Sequence, residues 1–274
     1  MPFDASLFNA PLINAPLFDA HCHLDFDCFD ADRGAVFERA RAAGVCRFMV
    51  PGTTRRRWKH VLALGAREGV AVSLGLHPYF IDSHGDSDLE ALAEELGRHD
   101  RLVAIGECGI DARFETTLAQ QWALFEAQLQ LARQHRLPVV IHCVHADDQV
   151  AKRLRQLDLP RRGLVHAFGG SPQQARRFLD LGYTLGLGGA ATYDRAQRLH
   201  RAVTMIPDDG FVLETDSPDM PLSGRQGQRN EPAYLMETLA TIARLRGQTR
   251  DSVAANAWSN TCRLFGLDAD GRAS

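Results

Sequence analysis

The segment around which this chain is organised reads Phe18-Asp19-Ala20-His21-Cys22-His23-Leu24-Asp25. Its mostly apolar start predicts a short buried strand over residues 17–20. Side chains of an extended segment alternate between two faces, so His21 and His23 point in the same direction. Two imidazoles presented together by a rigid strand supply half of a metal site.

After this segment the chain alternates short apolar runs with longer segments of helical character. The apolar runs predict seven further strands, at residues 46–50, 70–76, 102–105, 139–141, 164–165, 183–187 and 211–213. Helices are predicted at residues 33–43, 55–68, 89–98, 118–135, 147–157, 172–181 and 196–205, with two closing helices at 232–246 and 251–264. Eight strand–helix units indicate an α/β fold in which a parallel sheet, buried on both faces, closes into a (β/α)8 TIM barrel.

Length and composition favour a single domain. The chain has 274 residues, of which 45% are hydrophobic and 24% charged, and no composition break or low-complexity tract divides it. We expect an irregular N-terminal lead-in at residues 1–16, a barrel domain at residues 17–267 and a loose C-terminal tail at residues 268–274. The lead-in has neither the charge nor the apolar run of a signal peptide or a membrane span. A monomer is expected.

Charge and cysteine content limit the partners and the compartment. A formal net charge of −3 provides no basic field that would recruit nucleic acid, so an anionic substrate must be held locally by metals and a few arginines. The six cysteines are scattered without a Cys-x-x-Cys pair. This distribution favours a reducing, cytoplasmic location over a disulfide framework.

Four later predicted strands also end in residues that can ligate a metal, namely Glu107, His142, His166 and Asp216. The carboxyl ends of the strands of a barrel share one rim, so these residues are expected to meet His21 and His23 there. Imidazoles and carboxylates suit zinc or manganese, and a carboxylate can bridge two ions about 4 Å apart. We predict that Glu107 is the bridge between one ion at His21, His23 and Asp216 and a second ion at His142 and His166.

Each of these residues also has a structural interpretation. Glu107 could be a buried carboxylate satisfied by backbone donors, His142 and His166 could be core histidines, and Asp216 could cap the following turn. The neighbouring Cys22, Cys108 and Cys143 should face the opposite side of their strands and are predicted to pack. Solvated or structural roles are assigned to the histidines away from the strand ends, which are His60, His99, His135 and His200.

Six motifs stand in order along the chain: His21-Cys22-His23-Leu24-Asp25, Gly75-Leu76-His77-Pro78, Gly106-Glu107-Cys108-Gly109-Ile110-Asp111, Ile141-His142, His166-Ala167-Phe168-Gly169-Gly170 and Glu214-Thr215-Asp216-Ser217-Pro218. Together they resemble the signature set of the TatD-type metal-dependent deoxyribonucleases, which belong to the amidohydrolase-like barrel superfamily. The resemblance covers residues 18–267 and includes the closing segments 229–232 and 260–265.

The resemblance implies a two-metal phosphodiesterase, typically a 3′→5′ exonuclease on single-stranded DNA that uses a metal-activated water. It implies two divalent ions per chain, magnesium or manganese in the family, and the predicted ligands also suit zinc. One ion would be held by His21, His23, Glu107 and Asp216, and the other by Glu107, His142 and His166. Asp216 would also orient or deprotonate the water beside the bridging Glu107, so these two carboxylates are the expected catalytic residues. His77 would face the substrate, with a structural histidine at the end of its strand as the alternative.

One departure from the family pattern concerns the substrate. Members often carry an arginine two residues after the strand-five histidine, and Val144 holds that position here. We expect the substrate to be contacted instead by His145, Arg113, Arg225 or Arg229, although a permanent, forked arginine charge suits phosphate better than a histidine does. Two alternatives therefore stay open. One is a hydrolase of a small ester, lactone, amide or aminoacyl-tRNA ester in the same site, and the other is a non-catalytic barrel that binds metal or a partner protein.

Overall fold

The computed structural model describes residues 15–272, so residues 1–14 of the predicted lead-in and residues 273–274 of the predicted tail lie outside the described residues. The strands are β1 (Leu17–Asp19), β2 (Val45–Pro51), β3 (Val70–Leu74), β4 (Leu102–Asp111), β5 (Val139–Val144), β6 (Gly163–Val165), β7 (Thr184–Leu187) and β8 (Phe211–Leu213). The α-helices of this range are α1 (Arg33–Ala42), α2 (Arg55–Leu64), α3 (Asp88–Arg98), α4 (Leu118–His135), α5 (Asp147–Leu157), α6 (Pro172–Asp180), α7 (Gln197–Val203), α8 (Leu235–Arg246) and α9 (Arg250–Phe265).

The eight strands form one parallel sheet in which they lie in sequence order. The first and last strands are joined just beyond their ends. There Ala20 N donates to Leu213 O and Asp216 N donates to His21 O, both at 2.9 Å. Because helices connect the strands all the way round, this is a (β/α)8 barrel, and the predicted fold class is confirmed.

Strand β4 is longer than predicted. The apolar run 102–105 indicated a strand ending at Glu107, but the strand continues to Asp111 and pairs with β5 along its second half. The predicted end was wrong because two glycines interrupt the apolar pattern, whereas pairing with β5 keeps the backbone extended beyond them. The register shifts between Ile105 and Cys108, so Glu107 lies in an irregular stretch inside the strand.

Smaller differences concern helix ends. Helix α2 ends at Leu64, with Gly65 as its C-terminal cap, and not at residue 68 as predicted. The chain enters α8 through a 3-10 turn at Pro232–Tyr234. Residues 268–272 of the predicted loose tail form a turn in which Asp268 N donates to Arg272 O at 2.9 Å. Between residues 15 and 272, none of the helices combines the length and the apolar composition that a bilayer crossing requires.

Apolar side chains form two layers that fix the barrel. The larger layer packs the outer faces of the strands against the helices and includes Cys22 and Cys108. The smaller layer fills the barrel interior and consists of Phe18, Ala20, Met49, Val103, Ala104, Val140, Leu164, Val212, Leu264 and Phe265. The strands are therefore buried on both sides, as parallel strands usually are.

Helix α9 closes the amino-terminal end of the barrel. Asn260 Nδ2 donates to Asp208 O at 2.7 Å and to Phe211 O at 2.8 Å, where β8 begins. The ring of Trp258 meets that of Phe18 edge-on, with centroids 5.8 Å apart. The carboxyl-terminal end is consequently the one at which side chains from different strands can meet a substrate.

Gly109 is a point of close approach between β4 and β5, and it carries a testable consequence for stability. Its φ is +144°, and a Cβ at this position would overlap the carbonyl group of His142. Gly109→Ala is therefore expected to lower the free energy of unfolding by about 1–3 kcal/mol, measured by urea denaturation. Gly97→Ala in α3 is the control because its Cβ would meet nothing within 4 Å. It should be neutral or stabilising by up to about 1 kcal/mol, and equal losses in the two variants would contradict the crowding argument.

Candidate metal centre

The six predicted metal ligands lie together at the carboxyl-terminal rim. They come from five strands or the residues just after them: His21 and His23 after β1, Glu107 in β4, His142 in β5, His166 after β6 and Asp216 after β8. Their side chains are almost fully buried, and the largest exposed fraction among them is 14%, at His142 and Asp216. The structure thus brings all six into one cluster centred on Glu107.

One half of the cluster surrounds Glu107 Oε2. The Nε2 atoms of His21 and His23 are 3.2 Å apart, each is 3.2 Å from Glu107 Oε2, and each is 3.5 Å from Asp216 Oδ1. The three atoms His21 Nε2, His23 Nε2 and Glu107 Oε2 form a triangle with sides of 3.2 Å, which is one face of a tetrahedron whose centre lies about 2.0 Å from each corner, close to the usual distance between zinc-type ions and nitrogen or oxygen. The arrangement of donors therefore fits a divalent cation.

The other half surrounds Glu107 Oε1. This oxygen is 2.7 Å from His166 Nε2 and 3.2 Å from His142 Nδ1, and the two ring nitrogens are 3.3 Å apart. Each oxygen of Glu107 thus faces its own pair of the predicted ligand imidazoles, and Oε1 also lies 2.8 Å from His77 Nε2. A carboxylate in this position can bridge two cations.

Asp111 orients His142 within the second half. His142 Nε2 lies 3.1 Å from Asp111 Oδ2 and donates to it, which leaves Nδ1 as the ring atom that would face a cation beside Glu107. Asp111 is held in turn by Arg113, whose Nε and Nη2 donate to its two oxygens at 2.9 and 2.5 Å. A carboxylate behind a histidine is the usual second partner of a metal-binding imidazole. Sequence reasoning gave Asp111 no role, because the strand was predicted to end before it.

His77 is hydrogen-bonded to the carboxylate of Glu107. Its Nδ1 accepts from Tyr79 N at 3.0 Å, so the neutral ring carries its hydrogen on Nε2, which donates to Glu107 Oε1 at 2.8 Å. Burial lowers the pKa of His77 to about 4, in agreement with a neutral ring. His77 therefore steadies Glu107, and the substrate contact predicted for it stays a prediction.

Protons and cations compete for the cluster. Burial lowers the pKa of His21 to about 4, whereas the neighbouring Glu107 outweighs burial at His166 and raises its pKa to about 9. Burial alone would raise the pKa of Glu107, but the surrounding histidines hold it well below its usual value. A cation that replaces protons on these imidazoles would preserve the charge balance, so cation binding should release protons.

Asp19 holds the loop that carries Asp216. Its Oδ1 accepts from Thr215 N at 3.0 Å and its Oδ2 accepts from Thr215 Oγ1 at 2.6 Å. Burial raises the pKa of Asp19 to about 7. The segment formed by β1 and the residues just after it therefore carries two histidines of the cluster and also anchors the loop that carries Asp216.

Glu214 is a second acidic residue to which the sequence analysis gave no role. It is fully buried, its Oε1 accepts from Ala167 N, and its Oε2 has no hydrogen-bond partner among residues 15–272. Ligand-type atoms of Glu214, His21 and His166 lie within 4.8 Å of one another. Glu214 directly follows a predicted strand, as the other ligand candidates do, so the same criterion could have identified it. The ligand role at this strand end was instead assigned to Asp216, two residues later.

The arginines and His145, which were predicted to contact substrate, are not members of the six-residue cluster. Arg113 is bound to Asp111, Arg229 donates to both oxygens of Asp32 at 2.8 and 2.7 Å, and Arg225 donates to Glu237. His145 is exposed beyond β5, with φ of +55°. The structure thus gives each of these arginines an acidic partner within the chain, and the substrate roles of all four residues stay predictions.

The alternative interpretations of the ligands can be compared with the contacts. The polar neighbours of the Glu107 carboxylate are imidazoles, and the Asp216 side chain points at His21 and His23 while its backbone oxygen, not its carboxylate, accepts from Asp219 N. The six cysteines are free, and Cys22 and Cys108 place their sulfur atoms against the carbonyl oxygens of Met49 and Val140. These contacts favour the ligand interpretation for the carboxylates and packing for the two cysteines.

Comparisons with known proteins agree with this architecture. The sequence profile described as TatD related DNase matches residues 18–266. The metal-dependent hydrolase YjjV of Escherichia coli K12 is 42% identical over 256 residues, which cover 91% of this chain and 97% of the relative. The crystal structure of YjjV superposes with a TM-score of 0.89 at 40% identity, covering 92% of this chain and 98% of that one.

A second relative carries a more specific name. The 3′-5′ ssDNA/RNA exonuclease TatD of Klebsiella pneumoniae is 34% identical over 262 residues, which cover 93% of this chain and 99% of the relative. The profile match spans nearly the whole barrel, and all six clustered residues lie within it. The chain therefore belongs to the TatD related DNase family and is a metal-dependent hydrolase.

Proposed function

We propose that this protein is a two-metal 3′→5′ exonuclease that degrades single-stranded DNA as a cytoplasmic monomer. The observation that carries the proposal is the position of Glu107, whose two oxygens face two different pairs of histidines. One divalent cation (Mg, Mn or Zn) would be held by Glu107 Oε2 with His21, His23 and Asp216, and a second by Oε1 with His142 and His166. The exonuclease relatives support the choice of substrate.

The reaction divides between the cations and the side chains. When bound, the cations would lower the pKa of a water and neutralise charge on the phosphodiester oxygens. The side chains position the reacting groups and accept the proton of the attacking water. Asp216 has a side chain 14% exposed, against 1% for Glu107, and is thus the cluster carboxylate that incoming water meets. We assign to Asp216 the orientation of the attacking water and the acceptance of its proton.

Asp111→Asn tests whether the second half of the cluster is a metal site. The substitution removes the charge behind His142 Nε2, so we expect the affinity for one of two cations to fall about 10- to 100-fold while the other is kept. Isothermal titration of the metal-free protein with Mn²⁺ measures both affinities. Asp27→Asn is the control, because Asp27 is also paired with an arginine but is exposed. Two unchanged affinities in Asp111→Asn would contradict this site assignment.

The proposed reaction is tested with purified protein that has been stripped of metal and reloaded with Mg²⁺ or Mn²⁺. We expect a 5′-labelled single-stranded oligonucleotide to shorten stepwise from its 3′ end, and we expect EDTA to stop the reaction. A panel of small esters and lactones is assayed in parallel with the same preparations. An intact oligonucleotide in every metal would overturn the nuclease proposal.

A specific observation favours one alternative outcome of that assay. Val144 stands where the family often has an arginine, and Arg113 and Arg229 are both bound to aspartates of the chain. A site with few uncommitted cations suits an uncharged ester, lactone or amide better than a polyanion. Hydrolysis of a lactone beside an intact oligonucleotide would therefore identify the same centre as that of a small-molecule hydrolase.

A further inference from the structure

Two exposed aromatic rings meet at the rim beside the metal centre. Tyr79 is 57% exposed and Phe114 is 39% exposed, and their ring centroids are 5.5 Å apart at an interplanar angle of 80°. The large hydrophobic side chains that are exposed within residues 15–272 are these two and Met205 and Met220. The two aromatic members of that group therefore contact each other, although they lie 35 positions apart in the sequence.

Both rings are connected to the cluster by short chains of contacts. Tyr79 N donates to His77 Nδ1, and His77 Nε2 donates to Glu107 Oε1. Phe114 is next to Arg113, which binds Asp111, and Asp111 binds His142. Two residues of extended chain span at most about 7 Å, so Tyr79 cannot be far from the residue that holds the bridging carboxylate. The pair belongs to the entrance of the centre.

From this arrangement we infer that Tyr79 and Phe114 form a stacking subsite for the nucleobase next to the bond that is cut. Flat bases stack on exposed aromatic rings regardless of sequence. Arg113 lies over the Phe114 ring, with its guanidinium carbon 5.7 Å from the ring centroid, and links this ring to the cluster through its ion pair with Asp111. The inference rests on the proposed nuclease function and names the part of the substrate that these rings bind.

The overall charge of the protein makes such a subsite useful. With a formal net charge of −3, the chain has no general attraction for a polyanion. Stacking does not depend on charge, so it can hold a nucleic acid where electrostatic attraction is weak. A base must leave its duplex before it can stack on a protein ring, and the subsite should therefore favour an unpaired 3′ end.

The test compares two oligonucleotides of equal length. One is natural, and the other carries tetrahydrofuran abasic units at its last three 3′ positions. We expect the wild-type protein to prefer the natural end by roughly 10- to 100-fold in kcat/KM. The double variant Tyr79→Ala/Phe114→Ala should bring this ratio close to one, and Tyr79→Phe, which retains the ring, should keep it. Met205→Ala removes an exposed side chain that follows α7 and is the matched control, with the wild-type ratio.

The possible outcomes distinguish a failure of the stacking subsite from a failure of the proposed nuclease function. A wild-type protein that cleaves both oligonucleotides equally would overturn the subsite and leave the nuclease function standing. A double variant whose two rates fall together, with the preference retained, would also overturn it by showing a structural role for the rings. If the wild-type protein cleaves neither oligonucleotide, the nuclease function fails and the subsite fails with it.

Discussion

Replacing Glu107 by alanine is expected to remove both cations and to lower turnover by about a thousandfold or more. The reason is the central position of this side chain, whose Oε2 lies 3.2 Å from two imidazole nitrogens and whose Oε1 lies 2.7 and 3.2 Å from two others. Residues that only hydrogen-bond to a metal ligand already contribute roughly 10- to 100-fold to metal affinity. A residue that contacts both halves of the cluster must contribute more than this to metal affinity.

The measurement is elemental analysis of the purified variant alongside its rate. We expect fewer than one equivalent of metal in Glu107→Ala, and an intermediate value in Glu107→Gln, which keeps the shape and loses the charge. Glu237→Ala removes another ion-paired glutamate, the partner of Arg225, and should retain metal and rate. Two full equivalents bound by Glu107→Ala would show that this carboxylate is not the bridge.

Asp216→Asn is expected to separate metal binding from turnover. The amide keeps an oxygen that can face His21 and His23, but it cannot accept a proton from water at neutral pH. General-base catalysis typically contributes about 10²- to 10⁴-fold, so kcat should fall by that factor while most of the metal is retained. This outcome would identify Asp216 as a catalytic residue as well as a ligand.

Asp180→Asn is the matched control for that experiment. Asp180 is exposed at the end of α6 and its carboxylate pairs with Arg176, so its variant should keep kcat within about twofold. Rates are measured at saturating substrate over a range of Mn²⁺ concentrations. If excess metal restores the rate of Asp216→Asn to that of the wild type, the loss is one of metal affinity alone and the proton-accepting role is wrong.

The convergence of the site could be predicted because it depends on a repeated pattern. His21, His142 and His166 each follow or end an apolar run, and parallel strands in a closed barrel necessarily bring those positions to one rim. Local periodicity is enough to count the strands. It is also enough to assign the histidines to one end of the barrel.

The remainder could not be predicted because it depends on register and on side-chain pairing. The extension of β4 to Asp111 is stabilised by β5, which lies about 30 positions later in the sequence and is invisible to a local pattern. The role of Asp111 behind His142 was missed for that reason. Arg113 was expected to contact substrate because it is a cation near the site, and only the fold shows that Asp111 binds it first.

The joining of the first strand to the last has a consequence for biosynthesis. Asp216 N donates to His21 O and Asp19 accepts from Thr215, so the centre needs residues whose codons are translated nearly two hundred positions apart. A nascent chain that has emerged only as far as its fifth strand lacks Asp216 and the anchor of its loop. Metal acquisition by the complete centre must therefore follow synthesis of the chain through β8 and Asp216.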